Sequence, residues 1–379
     1  MRIALLTTIV PNTLKTGSEI ATRAILAALA ELGHDVILYG YGRAPFRVTA
    51  PVDSVLLGTI PIETATAPLA DTVSWAWRSL TSGHPISSEK YNYLPAHRLR
   101  EEIARSGADL LIVDHVNLYP FVRELAGSIP VGVIFHDIQA LSYAMVAKAA
   151  RRPWWRAVYA REARLNAVLE RQAGAEGRFA WFLSQADADR ARRDLGIAHG
   201  AVLPLFFPLV SGPVQADVDD DIGLIGTWSW PPVREGMTWF LDHVVPRLPP
   251  EIGIAVAGAG SEALPEGRIK RLGLVPDARA FLAGVRVAAV PTVAGTGIQI
   301  KTLELAATGT PAVSTRLGVR GLDVVPDSLR VAETPEEFAA ALVEAVRRPR
   351  AHDPEAGLAW NEARRRAAVT MIADALAGL

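Results

Sequence analysis

Hydrophobic positions along the chain form short continuous runs that alternate with segments of helical spacing. In the first half, the apolar runs fall at residues 3–8, 36–39, 109–114, 131–135, 179–183 and 201–203. Continuous apolar strands are typical of parallel sheets that helices cover on both faces. Between the first two runs, apolar residues from Ile20 to Leu32 recur at helical spacing. Thr16 and Glu19 can form a capping box at the start of this helix, and Gly33 can end it.

The alternation stops near residue 204 and then restarts. The break contains Pro204, Pro208, Gly212 and Pro213, followed by Asp217, Asp219, Asp220 and Asp221. Such a segment is typical of an interdomain linker. Beyond it, apolar runs at 222–225, 253–257, 271–274, 287–290 and 311–314 alternate with helical patterns near 235–245, 298–308 and 335–347. The end of the chain, from about residue 355, has the pattern of one long helix.

This alternation predicts an α/β protein with two doubly wound, Rossmann-like domains that face a cleft. The predicted domains are an acceptor-side domain, 1–212, and a donor domain, 213–352. A C-terminal helix, 353–379, is expected to pack back toward the first domain. In such sheets, ligands bind beyond the carboxyl ends of the strands.

Composition and charge exclude several classes of protein. Of 379 residues, 50% are hydrophobic and 21% are charged, which is a globular composition. The 39 basic and 40 acidic residues give a net charge of −1, so no nucleic-acid partner is expected. The absence of cysteine excludes disulfides, thiolate metal sites and a thiol nucleophile. No apolar run reaches the roughly 18 residues of a membrane-spanning helix, and no signal-peptide cleavage site follows the first run. We therefore expect a cytoplasmic protein.

The segment 291–318 carries the strongest functional pattern. A strand ends before it, and the loop that leads into the next helix contains Gly295, Thr296, Gly297 and Ile298. Free N–H groups at a helix start favour an anionic ligand, and glycines let that ligand approach closely. Lys301 and Glu304 share one helix face, so the lysine can neutralise a phosphate while the carboxylate accepts hydrogen bonds from ribose hydroxyls. An ordinary surface Lys–Glu pair is the alternative interpretation.

This segment resembles the donor-nucleotide loop of the retaining GT-B glycosyltransferases of family 4. That family shows an acidic residue, a glycine-containing loop, Leu-Glu, paired alanines, Gly and Pro-Val-Val. The residues that match after the loop are Thr302, Leu303, Glu304, Ala306, Ala307, Gly309, Pro311, Ala312 and Val313. The resemblance continues, in order, at 184–187, 226–228, 231–232, 235–236, 239–240, 257–260 and 273–277. It therefore covers most of the chain.

The resemblance implies roles for the matching positions. Glu304 corresponds to the second glutamate of the family's paired-glutamate motif, which contacts the nucleotide ribose. The first glutamate is expected eight residues earlier, where this chain has Thr296. The Thr296 hydroxyl or the following backbone amides can replace that contact to the donor sugar. Arg234 and Lys301 are the candidates for the family's basic pair on the diphosphate. The expected donor-binding residues are Gly226, Gly258, Gly295, Thr296, Gly297, Ile298, Thr302, Leu303 and Glu304.

Further candidates follow strands of the predicted N-terminal domain. Gly17 and Ser18 stand where the family often has two glycines, and their amides can face the diphosphate or the acceptor; a plain helix cap explains them equally well. His136 directly follows an apolar run, where the family has a histidine that approaches the donor sugar, although a structural histidine is the alternative. Asp114 and His115 end the preceding run and are expected either to contact the acceptor or to support the cleft. His136, Lys301 and Arg234 are the expected catalytic residues.

Two aromatic-rich segments have open interpretations. The segment 148–171 combines Trp154, Trp155 and Tyr159 with Lys148, Arg151, Arg152, Arg156, Arg161, Arg164 and Arg171. It can contact the inner surface of an anionic membrane, or it can be a solvated helix whose aromatics pack inward. A second cluster contains Trp75, Trp77, His84, Tyr91 and Tyr93, and either binds an acceptor or packs in the core. No metal site is expected, because neither 187–189 nor 219–221 follows a strand as an Asp-x-Asp metal site would.

The sequence thus predicts a hexosyltransferase-like enzyme of polysaccharide biosynthesis. It is expected to move a sugar from a nucleotide-diphosphate donor to a hydroxyl acceptor with retention, without a metal or other cofactor. The acceptor is a saccharide, a lipid-linked intermediate or a small molecule, since acceptor sites are built from variable loops. Two alternatives stay open. One is an epimerase or hydrolase of nucleotide sugars, and the other is a sugar-nucleotide-binding protein without catalysis.

Overall fold

The computed structural model describes residues 1–11, 16–43, 54–61, 67–208, 220–228, 230–348 and 352–379. The chain divides into two compact units. The N-terminal unit contains Met1–Leu205 and Ala367–Leu379, and the C-terminal unit contains Phe206–Arg366. Most of the predicted linker, including Gly212, Pro213, Asp217 and Asp219, lies outside the described residues. The predicted boundary between residues 212 and 213 lies outside them as well.

In the described residues, the N-terminal unit contains a parallel sheet of seven strands in the order β3-β2-β1-β4-β5-β6-β7. The strands are β1 (Arg2–Thr7), β2 (Asp35–Arg43), β3 (Ser54–Ile60), β4 (Leu110–Asp114), β5 (Val131–Phe135), β6 (Phe179–Phe182) and β7 (Gly200–Val202). Every residue of β4, β5 and β6 is buried, which explains their continuous apolar runs. The sequence pattern did not predict β3, because this edge strand is mostly exposed or half-buried. The order reverses between β1 and β4, as in a doubly wound sheet.

The described part of the N-terminal unit contains eight α-helices before β7. They are α1 (Gly17–Glu31), α2 (Leu69–Ser82), α3 (Ile86–Glu89), α4 (Ala96–Arg105), α5 (Tyr119–Val122), α6 (Gln139–Ala149), α7 (Pro153–Glu176) and α8 (Gln185–Arg190). The predicted capping box of α1 is confirmed, with Thr16 and Glu19 each accepting a hydrogen bond from the other's backbone N–H. Buried Glu170 on α7 accepts from the N–H of Gln139 at 2.6 Å and so caps α6.

The described part of the C-terminal unit contains six parallel strands in the order β10-β9-β8-β11-β12-β13. The strands are β8 (Ile222–Ile225), β9 (Ile254–Ala257), β10 (Lys270–Gly273), β11 (Val287–Val290), β12 (Ala312–Ser314) and β13 (Leu329–Val331). The helices are α9 (Pro231–Trp239), α10 (Ala278–Gly284), α11 (Ile300–Thr308), α12 (Pro335–Arg347) and α13 (Pro354–Ala377). This sheet reverses its order between β8 and β11, so the prediction of two doubly wound α/β units is confirmed.

The long C-terminal helix α13 begins in the C-terminal unit, and its last turns belong to the N-terminal unit. Near the start of α13, Asn361 binds both backbone groups of Phe207, at 2.8 Å to N–H and 2.9 Å to the carbonyl. Among the described helices, none is both long and apolar enough to cross a membrane.

Candidate functional site

The carboxyl ends of β1 and β4 meet where the strand order of the N-terminal sheet reverses. Asp114, the last residue of β4, is fully buried there. Its Oδ2 accepts hydrogen bonds from the hydroxyls of Thr22 at 2.5 Å and Thr7 at 3.0 Å. Its Oδ1 lies 2.5 Å from Nε2 of His136, the first residue after β5. Side chains from β1, β4, α1 and the end of β5 therefore converge at the edge where doubly wound sheets bind ligands.

The two histidines of this cluster stack on each other. The ring centroids of His115 and His136 are 3.7 Å apart, and the ring planes differ by 16°. His115 has a φ of 111°, the one positive φ of a non-glycine residue in the described part of the chain. Such a backbone conformation is strained and persists only where the surrounding structure holds it. Here, His115 Nε2 lies 2.9 Å from Ser18 Oγ, at the start of α1.

The charges of this cluster determine where the proton of His136 lies. Burial alone would raise the pKa of Asp114, but the two histidines and the hydrogen bonds outweigh burial and lower the pKa to about 2. Burial, followed by the charge of His136, lowers the pKa of His115 to about 3. Asp114 is therefore ionised at neutral pH and can only accept, so Nε2 of His136 carries the proton that it donates to Asp114. This leaves Nδ1 of His136 for any contact with a ligand.

The C-terminal unit has its own reversal point at the carboxyl ends of β8 and β11. Gly226 and Gly258 follow β8 and the neighbouring strand β9. Gly258 has a φ of 106°, and a Cβ there would lie 2.1 Å from the carbonyl oxygen of Gly226. Only glycine fits at this position without displacing backbone, because the two turns pack directly against each other. The Gly-x-Gly after β9 is thus a packed turn followed by a short 3₁₀ helix, Ser261–Ala263.

The loop between β11 and α11 forms the predicted glycine turn. Gly295 and Gly297 have φ values of 108° and 71°, a region that favours glycine. Arg320 donates to the Gly295 carbonyl at 2.7 Å, and a Cβ on Gly295 would lie 3.5 Å from Pro232 at the start of α9. Helix α11 begins two residues later than predicted, after Gln299, whose side chain makes no capping hydrogen bond. No cap therefore competes with an anion for the first N–H groups of α11.

Helix α11 carries two charged side chains in partly buried positions. Lys301 Nζ donates to the carbonyl of Ile225, at the end of β8, at 3.2 Å. No carboxylate in the described ranges forms an ion pair with Lys301. Burial lowers the pKa of Lys301 to about 8. Burial also raises the pKa of Glu304 to about 7, with a smaller opposing effect from Arg279. Both groups are partly desolvated, which is typical of sites whose ligand supplies the missing contacts.

Thr302 lies between these two residues and adds a further polar group without a partner. Its side chain is fully buried, and its Oγ1 makes no hydrogen bond to any residue that the structure describes. The structure therefore places three polar side chains on the first turns of α11, which follows the glycine turn, and one of them, Lys301, reaches the end of β8.

Most of the C-terminal unit matches one protein-family model. Residues 219–348 match the family model described as glycosyl transferases group 1. The predicted enzyme class, a glycosyltransferase, is confirmed. No curated protein sequence matches the chain.

The fold of this glycosyltransferase is similar to several solved structures. Sucrose-phosphate synthase from Thermosynechococcus elongatus shares 13% identity over 99% of this chain and 98% of its own, with a TM-score of 0.68. Anabaena HepE in complex with UDP and glucose shares 14% identity over 100% of both chains, with a TM-score of 0.66. WaaG, a glycosyltransferase involved in lipopolysaccharide biosynthesis, shares 15% identity over 97% of this chain and 95% of its own, with a TM-score of 0.59. These similarities confirm the predicted GT-B fold.

The predicted site residues of the glycosyltransferase fall into two groups, one in each unit. Ser18, Asp114, His115 and His136 lie together in the N-terminal unit, and Gly17 is the first residue of α1 beside them. In the C-terminal unit, Leu303 is buried in α11. Arg234 is exposed on α9, whose start lies beside the Gly295 turn. The roles that the resemblance implies for these residues stay predictions.

Some residues that contact these two groups were not predicted from the sequence. Thr7 and Thr22 hold Asp114, and Arg320 supports the glycine turn. Thr22 could have been found from the sequence pattern, because this polar residue stands on the apolar face of α1. By contrast, Asp187 has a structural role, since Ser184 and Asp187 form the cap of α8. Among the described residues, no group of three or more His, Asp or Glu side chains could hold a metal ion.

Proposed function

We propose that this chain transfers a sugar from a nucleotide-diphosphate donor to a hydroxyl acceptor with retention, as family 4 glycosyltransferases do. The observation that carries the proposal is the start of α11, where an uncapped helix, a glycine turn, Lys301 and Glu304 adjoin. A nucleotide diphosphate has the hydrogen-bonding groups that these residues need as partners. Its phosphates accept hydrogen bonds from Lys301 and the helix N–H groups, and its ribose hydroxyls donate to Glu304.

The proposed reaction needs no side-chain nucleophile. The bond between the anomeric carbon and the diphosphate oxygen breaks, and the acceptor oxygen bonds to the same face of the sugar. The acceptor proton passes to the departing phosphate oxygen. Lys301, with Arg234 and the loop amides, stabilises the charge that develops on the diphosphate, without a metal. A pKa of about 8 keeps Lys301 mostly protonated at neutral pH.

The N-terminal cluster has a positioning role in this proposal. Asp114 holds the Nε2 proton of His136, and the ring of His115 limits how His136 can turn. His136 is proposed to contact the donor sugar, and Gly17 and Ser18 to face the diphosphate or the acceptor. A saccharide, a lipid-linked intermediate or a small molecule is the acceptor. Because the HepE structure is in complex with UDP and glucose, UDP-glucose is the first donor to test.

The test is turnover of radiolabelled nucleotide sugars, followed by release of the nucleoside diphosphate and by analysis of the sugar product. Transfer to added acceptors from at least one donor supports the proposal. Free sugar without acceptor indicates a hydrolase, and a changed sugar on the nucleotide indicates an epimerase. Binding without turnover indicates the non-catalytic alternative. Any of these three results in place of transfer, or no binding at all, contradicts the transferase proposal.

A further inference from the structure

Helix α2 of the N-terminal unit turns its apolar side to solvent. The exposed apolar residues recur every three or four positions and are between 60% and 79% exposed: Leu69, Val73, Trp77 and Leu80. The other side of α2 carries buried Trp75 and Ser79, and Arg78 donates to the backbone carbonyls of Glu89 and Asn92. A surface helix of a globular protein normally has the opposite arrangement. This α2 stripe, defined by its four exposed residues, therefore indicates an interaction surface.

A basic segment lies on the neighbouring helices. From residue 139 to residue 161, through α6 and the start of α7, the chain has no acidic residue. The basic residues of this segment are Lys148, Arg151, Arg152, Arg156 and Arg161. Trp154 and Trp155 are 52% and 40% exposed, and their rings stack at 4.1 Å between centroids. Exposed tryptophan among basic residues is typical of helices that lie at the surface of an anionic membrane.

Direct contacts join the helices that carry the two features. Arg161 on α7 donates to Ser79 of α2 twice, at 2.9 Å to Oγ and at 2.8 Å to the carbonyl oxygen. Nearer the start of α7, Trp155 stacks on Tyr159, which stacks in turn on Tyr143 of α6. The α2 stripe and the basic segment thus belong to helices of one unit that side-chain contacts connect.

We propose that the N-terminal unit docks on an anionic lipid bilayer through these helices. The α2 stripe enters the boundary between headgroups and acyl chains, and the basic segment contacts the anionic headgroups. Charge favours a bilayer over a second copy of the chain. A twofold contact uses the same patch on both copies, so it brings two basic segments toward each other. The inference does not depend on the proposed transfer reaction.

The experiment is cosedimentation of the full chain with vesicles of phosphatidylcholine alone and of phosphatidylcholine mixed with phosphatidylglycerol. We expect binding to the mixed vesicles that weakens as salt is added, and little binding to the neutral vesicles. The double variant Trp77→Ser/Leu80→Ser removes apolar contact and should bind about tenfold more weakly. Its control is Leu358→Ser on α13, which is 51% exposed in the C-terminal unit.

A second pair of variants tests the charge. Arg151→Gln/Arg152→Gln should weaken binding to mixed vesicles about tenfold and reduce its salt dependence, whereas Arg192→Gln on another part of the unit should not. Because the substituted residues are exposed, thermal unfolding should be unchanged. No binding of the wild-type chain to mixed vesicles, or equal binding by all variants, overturns the proposal. A dimer in light scattering that Trp77→Ser dissociates would overturn it in favour of a second copy.

Discussion

The buried polar groups at the two points of sheet reversal are satisfied differently. In the N-terminal unit, Asp114 accepts hydrogen bonds from Thr7, Thr22 and His136, and these partners lower its pKa to about 2 despite burial. In the C-terminal unit, Lys301 contacts one backbone carbonyl, and burial moves its pKa and that of Glu304 toward neutral. Asp114 has its partners without a ligand, whereas Lys301 and Glu304 lack contacts that a ligand can supply.

Because of this difference, substitutions in the two units should affect different properties, the stability of the fold in one and ligand binding in the other. Substitution in the N-terminal cluster removes interactions that the folded chain already makes, so it should lower the free energy of unfolding. The charged groups on α11 are poorly solvated in the free protein, so they do not stabilise it. Their substitution should instead reduce ligand binding and turnover.

The largest effect is expected for Lys301→Ala. Loss of the cation that stabilises the leaving diphosphate should lower kcat about 10²–10³-fold. The free energy of unfolding should stay the same or rise, because the desolvated ammonium makes one hydrogen bond to a backbone carbonyl. Donor turnover and urea unfolding measure the two quantities. Lys270→Ala, on an exposed lysine that pairs with Asp220, is the matched control. Normal turnover in Lys301→Ala would refute the role of this lysine.

Asp114→Asn should lower stability. The lowered pKa of Asp114 corresponds to ~2 kcal/mol of stability at neutral pH, since one pKa unit is about 1.4 kcal/mol. A carboxyl with a lowered folded pKa contributes this stability above its unfolded pKa. The contribution is therefore lost as pH falls from about 4 to about 2. Urea unfolding at neutral and acidic pH should therefore show a loss that is ~2 kcal/mol larger in the wild-type chain than in the variant.

The control for this substitution is Asp189→Asn, because Asp189 is half-buried and pairs with Arg192 at the surface. It should change the free energy of unfolding by less than about 1 kcal/mol. Equal losses in the two variants would mean that the N-terminal cluster is not specially stabilised, and the contrast between the units would fail.

The pH dependence of nucleotide binding should report on α11. Glu304 is ionised above a pKa of about 7, and Lys301 is protonated below a pKa of about 8. Affinity for a nucleoside diphosphate should therefore be highest between pH 7 and pH 8 and about tenfold lower at pH 6. Calorimetry across this range checks the profile. Glu304→Gln should remove the loss of affinity below pH 7 and keep the loss of affinity above pH 8. An unchanged loss of affinity below pH 7 would refute the role of Glu304.

The smallest effect is expected for Ser18→Ala. It removes the hydrogen bond between Ser18 Oγ and His115 Nε2, so unfolding should become easier by about 0.5–1.5 kcal/mol. Thermal or urea unfolding measures the change. Ser128→Ala, on an exposed serine whose hydroxyl donates to the Leu125 carbonyl, should have less effect. A larger loss in Ser128→Ala would contradict the importance given to the His115 contact.

Much of the fold could be predicted because buried parallel strands leave continuous apolar runs. Both β4 and β5 are buried at every residue, and both were predicted from such runs. The same argument indicated that Asp114 and His136, at the ends of these strands, lie on the ligand side. Strands β3 and β13 were missed, because β3 is a mostly exposed edge strand and β13 has three residues.

The contacts within the site could not be predicted, because they depend on tertiary packing. Nothing in the sequence indicates that His115 has a positive φ or that its ring stacks on His136. The aromatic cluster near residue 75 shows the same limit. Trp75 is 1% exposed and Trp77 is 67% exposed, although they stand two residues apart. The helical pattern gives the angle between these side chains, but only packing decides which one faces the core.

Calorimetric binding of nucleoside diphosphates tests the central claim most directly. Wild-type chain, Lys301→Ala, Glu304→Gln and the control Lys270→Ala would be titrated with UDP, GDP, ADP and TDP at neutral pH, with and without magnesium. We predict that at least one nucleotide binds the wild-type and control chains, and that each α11 variant binds it at least about tenfold more weakly, or ~1.4 kcal/mol. Absence of binding by every nucleotide, or equal affinity in all four chains, would contradict the claim that α11 holds the donor.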